Sequence, residues 1–367
     1  MYSQTLQDIT GRIREAAARR AVLRIRGGGS KDFYGERLAG EVLDTRPLAG
    51  ITSYEPSELV VTVRAGTPLV ELEALLAQHG QCLPFEPPRF AAAAGTGGAG
   101  DAAVTVGGMV AAGLSGPSRA SAGCVRDYVL GASLVNGKAE LLSFGGTVMK
   151  NVAGYDVSRL IAGSMGTLAL LTEVSLKVLP VAPGEATLRF GMDQAQALKA
   201  INDWGGQPLP LNASCWSPAG GGVLHVRLRG AIAAVEAARA RMGGESVPFD
   251  WDALRDQAHP FFEPLPGMGL WRLSVAQSTP VLEIAGDTLI EWHGGLRWMH
   301  APVTEASRIR QAALAGGGHA TLWRTSGEYV TPVFTPVAAP LDRIHAALRQ
   351  QFDPHGVFNT GRLGQGL

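Results

Sequence analysis

The chain has 367 residues, 46% of them hydrophobic, ample for a buried core and more than one compact domain usually needs, so two domains are expected. Lys plus Arg and Asp plus Glu both count 32, which leaves no net field to gather nucleic acid or an acidic membrane surface. The cysteines, Cys82, Cys124 and Cys215, lie far apart with no CxxC spacing; this excludes an in-chain Fe–S cluster or structural zinc site and suits a reducing, cytoplasmic compartment. The N-terminus lacks an apolar h-region, and the uncharged stretch Ala102–Ser118 is short and broken by Gly and Pro, so a membrane visit requires a partner.

In chain order, Thr5–Ala18 reads as a helix with Leu6, Ile9 and Ile13 on one face, followed by a strand at Ala21–Arg26 that runs into Gly27-Gly28-Gly29-Ser30. A second strand, Val60–Val63, precedes a helix with Thr67 as N-cap, Pro68 at its first position, Leu69, Leu72, Leu75 and Leu76 as buried stripe and Gly80 as stop. Residues 91–116 are almost wholly Ala, Gly and Val, a composition for loops and short helical turns packed on something flat. Val129–Val135 and Lys138–Leu142 read as a hairpin across Asn136-Gly137, and Thr172–Leu179 alternates as a half-buried strand that Pro180 ends. From about 185 strand and helix candidates alternate, with most of the tryptophans, in an α+β second domain over 183–335. A helix from Pro340, with Leu341, Ile344 and Leu348 in register, then leads into Asp353-Pro354-His355-Gly356-Val357-Phe358-Asn359-Thr360-Gly361-Arg362.

Gly27–Ser30, directly after a strand, can turn successive backbone N–H groups inward as a nest for a pyrophosphate; taken alone, an ordinary glycine-rich turn is the commoner reading. Gly95-Thr96-Gly97-Gly98-Ala99-Gly100 matches G-x-G-x-x-G, but neither a hydrophobic strand before it nor an amphipathic helix after it is present, so a Rossmann site is rejected. Lys138 is followed by Ala139 where a Walker A motif needs Ser or Thr. Thr105–Gly113, Gly154–Asp156 and Gly163–Thr167 are further small-residue clusters that, with the first loop, outline one extended ligand bed; Asp156 itself reads as a helix N-cap.

The order GGGS, TVGGMVAAG, KNVAGYDVSRLIAGSMGTLALLTEVSLKV and FDPHGVFNTGR resembles the FAD-binding fold of the vanillyl-alcohol oxidase type, and within it the FAD-binding subunits of bacterial glycolate oxidases. The likeness covers 20–180 and 320–367 well and, through GGLRW and GGHATLWR, the domain between them more weakly. It implies an α+β protein: a two-part FAD-binding domain at 1–182 (subdomains of about 1–52 and 53–182), an α+β cap at 183–335, and a segment 336–367 that returns to the FAD domain. Gly27, Gly28, Gly29 and Ser30 would cradle the pyrophosphate, Thr105, Val106, Gly107 and Gly108 would lie along the flavin and its ribityl chain, Gly163, Ser164, Gly166 and Thr167 would close the other side, and Asn359 would reach back to the isoalloxazine edge. Ser30 stands where many relatives carry a His or Cys that anchors the flavin covalently, which implies dissociable FAD; with no His-x-His spacing, no metal is expected.

The implied reaction is oxidation of a small 2-hydroxy acid, glycolate to glyoxylate, by hydride transfer to flavin N5, with a base taking the hydroxyl proton and a cation holding the carboxylate. Arg297, Arg324, His300 and His319 are the candidates, each weighed against the commoner fate of such residues as surface or packing groups. Electrons would leave through an Fe–S partner subunit, with a second flavoprotein subunit in the complex, and any place at the inner membrane would come from these partners. The His-x-His metal site of better-known flavin oxidases does not occur here, which keeps open a non-catalytic FAD relay or structural subunit, and an NADPH-using reductase of the same fold remains a third reading.

Overall fold

The computed structural model of the protein describes residues 2–36, 38–90, 104–146, 155–325 and 331–364. The chain divides into two units: 1–114, 124–180 and 336–367 form the first, and 115–123 with 181–335 the second. The short excursion at 115–123 departs from the contiguous division read from the sequence.

In the first unit an amphipathic helix, Tyr2–Arg19, buries Ile9, Ile13 and Ala16. The strand Leu23–Arg26 pairs in parallel with Glu41–Asp44, and the C-terminal segment joins it: Leu23 N–H donates to Val357 O at 2.7 Å and Asn359 N–H to Leu23 O at 3.0 Å. Leu23, Leu43, Val357 and Phe358 then share one core with Ile9 and Ile13. Beside it lies an antiparallel five-stranded sheet in the order Ile51–Glu55, Val60–Arg64, Leu170–Lys177, Val129–Val135, Leu141–Gly145.

The middle strand is buried on both faces along most of its length, not half-buried as its alternation suggests. Ser175 can lie inside because its hydroxyl pairs with that of Thr62 on the neighbouring strand at 2.9 Å. The helix Leu69–Gln78 buries Leu69, Leu72 and Leu76, with Pro68 as its N-cap residue. Thr67 is no cap: its hydroxyl accepts from Gly50 N–H at 2.9 Å instead. Nor is the hairpin closed by a two-residue turn. Asn136 Oδ1 accepts from the N–H groups of Lys138 and Glu140 in a longer loop, and Gly137 N–H donates to Phe352 O.

The second unit is an antiparallel eight-stranded sheet, in the order Glu245–Ser246, Gly184–Gly191, Val223–Gly230, Leu211–Ser217, Thr288–Glu291, Leu296–Ala301, Gly269–Ser274, His319–Thr325. Helices Gln194–Gly205 and Ile232–Met242 cover Leu188, Leu224, Val226 and Leu228, and Ala306–Ala315 covers Trp271, Leu273, Met299 and Leu322. Residues 115–123 belong to this unit because Trp292 Nε1 donates to Gly116 O at 2.9 Å, the Arg119 guanidinium lies 4.4 Å over the Trp292 ring and Ser121 Oγ meets His293 Nε2 at 2.9 Å. Among the described residues no helix is long and apolar enough to cross a membrane.

Candidate functional site: a groove at the glycine loop

The strand Leu23–Arg26 delivers the chain to Gly27, and two of the next glycines are dictated by space. A Cβ on Gly27 would sit 2.3 Å from Thr105 Oγ1; one on Gly29, at φ +83°, would sit 2.1 Å from Arg26 Nη2. None of the backbone N–H groups of Gly27, Gly28, Gly29 and Ser30 meets an acceptor among the described residues. Four successive donors without acceptors among the described residues, at the end of a strand and beside Lys31, are free to meet an anion. Arg26 Nε donates to Asp32 Oδ2 at 2.7 Å and pins the loop from one side. Arg362, 5% exposed, pins the following residues by donating to the carbonyls of Lys31, Asp32, Tyr34 and Glu36.

The groove beside this loop is lined by Gly27–Ser30, Lys31, Thr105, Gly108, Ala111, Met165, Asn359 and Arg362. Residues more than 330 positions apart in sequence thus share one wall system.

Within the Thr105–Gly108 motif the residues divide. Thr105 caps the helix Val106–Ala112 by accepting from Gly108 N–H, and these two face the groove. Val106 and Gly107 do not lie along it. Val106 N–H donates to Thr67 O at 2.9 Å, Gly107 N–H to Ala65 O at 2.7 Å, and a Cβ on Gly107 would come within 2.6 Å of Ala65 Cβ. Their role is to seat the helix against the sheet.

The Gly163–Thr167 loop is strapped to the same helix through Gly163 N–H to Val110 O at 3.0 Å and Met165 N–H to Ala111 O at 2.8 Å. Met165 borders the groove, whereas Gly163, Ser164 and Thr167 line a separate depression beside the helix Leu341–Phe352. Gly166, at φ +71°, leaves room for the Asn359 amide, whose Nδ2 would lie 2.8 Å from an added Cβ. Asn359 has both ends of its amide committed: Oδ1 accepts from Ile25 N–H at 2.8 Å and Nδ2 donates to Met165 O at 2.6 Å. It ties the two walls together and also lines the groove, with one amide hydrogen left over. Gly95–Gly100 and Gly154 lie outside the described residues.

The four catalytic candidates all belong to the second unit. Arg297 is a correction. It is 1% exposed, and its Nε, Nη1 and Nη2 donate to the carbonyls of Gly294, Pro280 and Thr279 at 3.0, 3.1 and 2.6 Å. Burial pulls its pKa down to about 10, and its register opposite Leu273 puts it on the helix-covered face of the sheet.

His300 Nε2 donates to Phe261 O at 2.7 Å, since a carbonyl oxygen can only accept. Leu270 is paired with His300 on one side and Arg324 on the other, so these two stand on flanking strands; burial lowers the Arg324 pKa to about 10. His319 opens its strand at the exposed end. The groups that sequence reasoning missed are Arg26, Lys31 and Arg362. Of these only Arg362, inside the FNTGR motif, carried a visible signal.

Residues 1–145 match the FAD binding domain family. Glycolate oxidase subunit GlcE of Escherichia coli is 44% identical over 363 residues, 99% of this chain and 97% of that protein. The chain belongs to the glycolate oxidase subunit GlcE family. More distant relatives share only part of the sequence with this GlcE-family chain. D-lactate dehydrogenase of Anaerostipes hadrus is 32% identical over 38% of the chain and 27% of its own length, and glycolate oxidase subunit GlcD of Bacillus subtilis is 29% identical over 41% and 29%.

Two solved structures of alkyldihydroxyacetonephosphate synthase superpose with a TM-score of 0.63 at 15% identity, over 96% of this chain and 75% of theirs. The fold is accordingly α+β, an FAD-binding domain of vanillyl-alcohol oxidase type with an α+β cap, and FAD is the cofactor that the GlcE-family chain takes.

Proposed function

We propose that the chain is the FAD-binding subunit of a glycolate oxidase complex that converts glycolate to glyoxylate. The observation that carries this reading is the cradle of four successive N–H groups at Gly27–Ser30, held from beneath by Arg26 and Arg362, in a chain 44% identical to a glycolate oxidase subunit. Bound FAD supplies a two-electron acceptor that takes the hydride from the hydroxyl-bearing carbon as the 2-hydroxy acid becomes a 2-oxo acid. The chain's own part is to hold the diphosphate on backbone donors and to keep the two walls of the groove at a fixed separation through Asn359. Ser30 in the anchor position supports non-covalent attachment, so acid precipitation should leave the flavin in the supernatant.

Arg324, His300 and His319 stay as candidates for substrate contact in the second unit, and Arg297 leaves the set. Electrons pass on to an Fe–S subunit, since the chain's three cysteines have no cluster spacing, and these partners account for any attachment to a membrane. A second reading, a relay subunit that binds FAD without oxidising substrate, is favoured by the commitment of both Arg297 and His300 to backbone carbonyls. Adding glycolate anaerobically to the purified FAD-loaded chain separates them: loss of the flavin absorbance band supports oxidation on this chain. An unchanged band with glycolate, in a chain whose complex is active, assigns it to the relay.

A further inference from the structure

In the eight-stranded sheet of the second unit, Trp271, Leu273 and Met299 pack under the helix Ala306–Ala315. Side chains alternate along a strand, so Arg272 and Trp298, a cross-strand pair, stand on the opposite face. There the Arg272 guanidinium lies 5.0 Å over the ring of Trp292, 5.8 Å over that of Trp298 and 5.7 Å over that of Trp323. Arg119 brings a second guanidinium to the same Trp292 ring, at 4.4 Å. All five residues belong to the second unit. The three indoles are buried, whereas Arg272 is half-buried and Arg119 exposed, so solvent reaches both cations.

Trp292 is held under strain. Its backbone sits at φ +52° and that of His293 at +56°, two successive left-handed residues that are not glycine. They are kept there by the bond from Trp292 Nε1 to Gly116 O at 2.9 Å and from His293 N–H to Ser214 Oγ at 3.0 Å. Strain of this kind persists only where the surroundings over-determine it, and it gathers at ligand sites. The carboxylate packed among these rings, Glu291, is 4% exposed, accepts from Trp298 Nε1 at 2.7 Å and brings one negative charge against two positive ones. The positive potential is felt along the sheet, where burial and the Arg272 charge together lower the pKa of His319.

An indole face attracts a guanidinium but offers it no acceptor atom. A guanidinium has five N–H donors in a planar fork, so a ring can orient it while an edge of the fork takes the two oxygens of a carboxylate. We propose that Arg272 and Arg119, gathered on Trp292, form a binding site for the carboxylate of a small 2-hydroxy acid. The choice of acid rests on the reading of the chain as a glycolate oxidase subunit; the site itself rests on the two guanidiniums and the ring they share.

The test titrates the full FAD-loaded chain with glycolate under anaerobic conditions, the flavin having been reduced by light beforehand so that binding is read without turnover. Tryptophan emission is the readout, since three indoles wall the site. Glycolate should give a saturable change and its neutral match, glycolamide, none. Arg272→Gln should weaken glycolate binding about tenfold or more, the worth of a hydrogen bond between charged groups, and Arg119→Gln by less. Arg272→Lys should recover part of the loss. Arg189→Gln, which removes an exposed cation paired with Glu245 elsewhere on the sheet, should bind as wild type. If Arg272→Gln fails to fold, Arg119→Gln, at an exposed position, decides by the same titration. No saturable change in wild type, an equal response to glycolamide or inorganic phosphate, unweakened binding in the folded variants, or equal weakening by Arg189→Gln would each overturn the proposal. Failure of the functional reading looks different: glycolate binding that depends on Arg272, in a chain whose assembled complex does not oxidise glycolate.

Discussion

Replacing Asn359 by Ala tests the clamp that holds the cofactor groove. The side chain is 8% exposed and makes two hydrogen bonds, one to Ile25 N–H on the strand feeding the glycine loop and one to Met165 O on the opposing loop. Ala leaves both backbone groups without a partner, at about 1–3 kcal/mol each. Because the Ile25 contact is only partly buried, about 2–4 kcal/mol is expected in all. Asn359 also sits at φ +39°, and Ala there adds about 1 kcal/mol of backbone strain. Against a total stability of about 5–15 kcal/mol this is a large fraction. Urea unfolding of apo and FAD-saturated protein should therefore show a midpoint well below wild type in both states, and FAD affinity from flavin fluorescence titration should fall about tenfold or more as the walls loosen, tenfold being about 1.4 kcal/mol. Stability within about 0.5 kcal/mol of wild type, the ordinary range for a neutral surface change, would refute the clamp. A shifted absorbance of the bound flavin at unchanged stability would instead assign Asn359 a role in which it touches the isoalloxazine.

Three further outcomes are expected. Gly29→Ala meets Arg26 Nη2 at 2.1 Å and a left-handed φ of +83°, so FAD should bind about tenfold more weakly or worse in titration, whereas Gly80→Ala, at φ +64° with no atom within 4 Å of the added Cβ, should cost about 1–2 kcal/mol of stability and leave FAD binding unchanged. Arg297→Met removes three bonds to buried carbonyls and should destabilise the second unit by roughly 3 kcal/mol in denaturant; a stable variant with abolished turnover would return Arg297 to the catalytic set.

His293 is held neutral by burial, with its pKa lowered to about 4. Its Nε2 meets Ser121 Oγ, and Ser214 Oγ meets Nδ1 while accepting the backbone N–H. The unfolded chain binds a proton near pH 6.5 that the folded chain refuses, so this stability is complete above about 6.5 and is lost as pH falls toward 4, by at most about 1.4 kcal/mol per pH unit. His293→Asn, which tolerates the local φ of +56°, should reduce the slope of melting temperature against pH over that window, with His225, whose pKa burial also lowers to about 4, among the sources of the remainder; an unaltered slope would exclude His293 as a source.

The glycine loop was legible from the sequence because its cause is local: a strand that ends in residues without Cβ atoms can turn its N–H groups outward whatever lies around it. The helices Tyr2–Arg19, Leu69–Gln78 and Leu341–Phe352 and the strands Leu23–Arg26, Val60–Arg64 and Val129–Val135 were legible for the same reason, whereas strands such as Leu211–Ser217 and Leu296–Ala301 were not. Thr67 shows where local signals stop, since a hydroxyl that could cap its own helix found Gly50 instead. The Thr105–Gly108 motif divided because successive helical residues turn by about 100°, so that residues three apart share a face and the two between them do not. The alternation of Thr172–Leu179 suggested an exposed face, but a central strand has neighbours on both sides, and Ser175 found Thr62.

What the sequence alone determined, then, was the α+β class, the helices and strands with strong local signals, and the family that the glycine-rich motifs resemble. Only the tertiary structure decided that Asn359 and Arg362 brace a loop more than 320 residues away, that 115–123 leave the first unit for the second, and that Arg297 is bound up in carbonyls. Backbone preferences act over a few neighbours and are written in composition and spacing. A hydrogen bond between distant segments depends on where the whole chain has been carried, and spacing along the sequence holds no record of that.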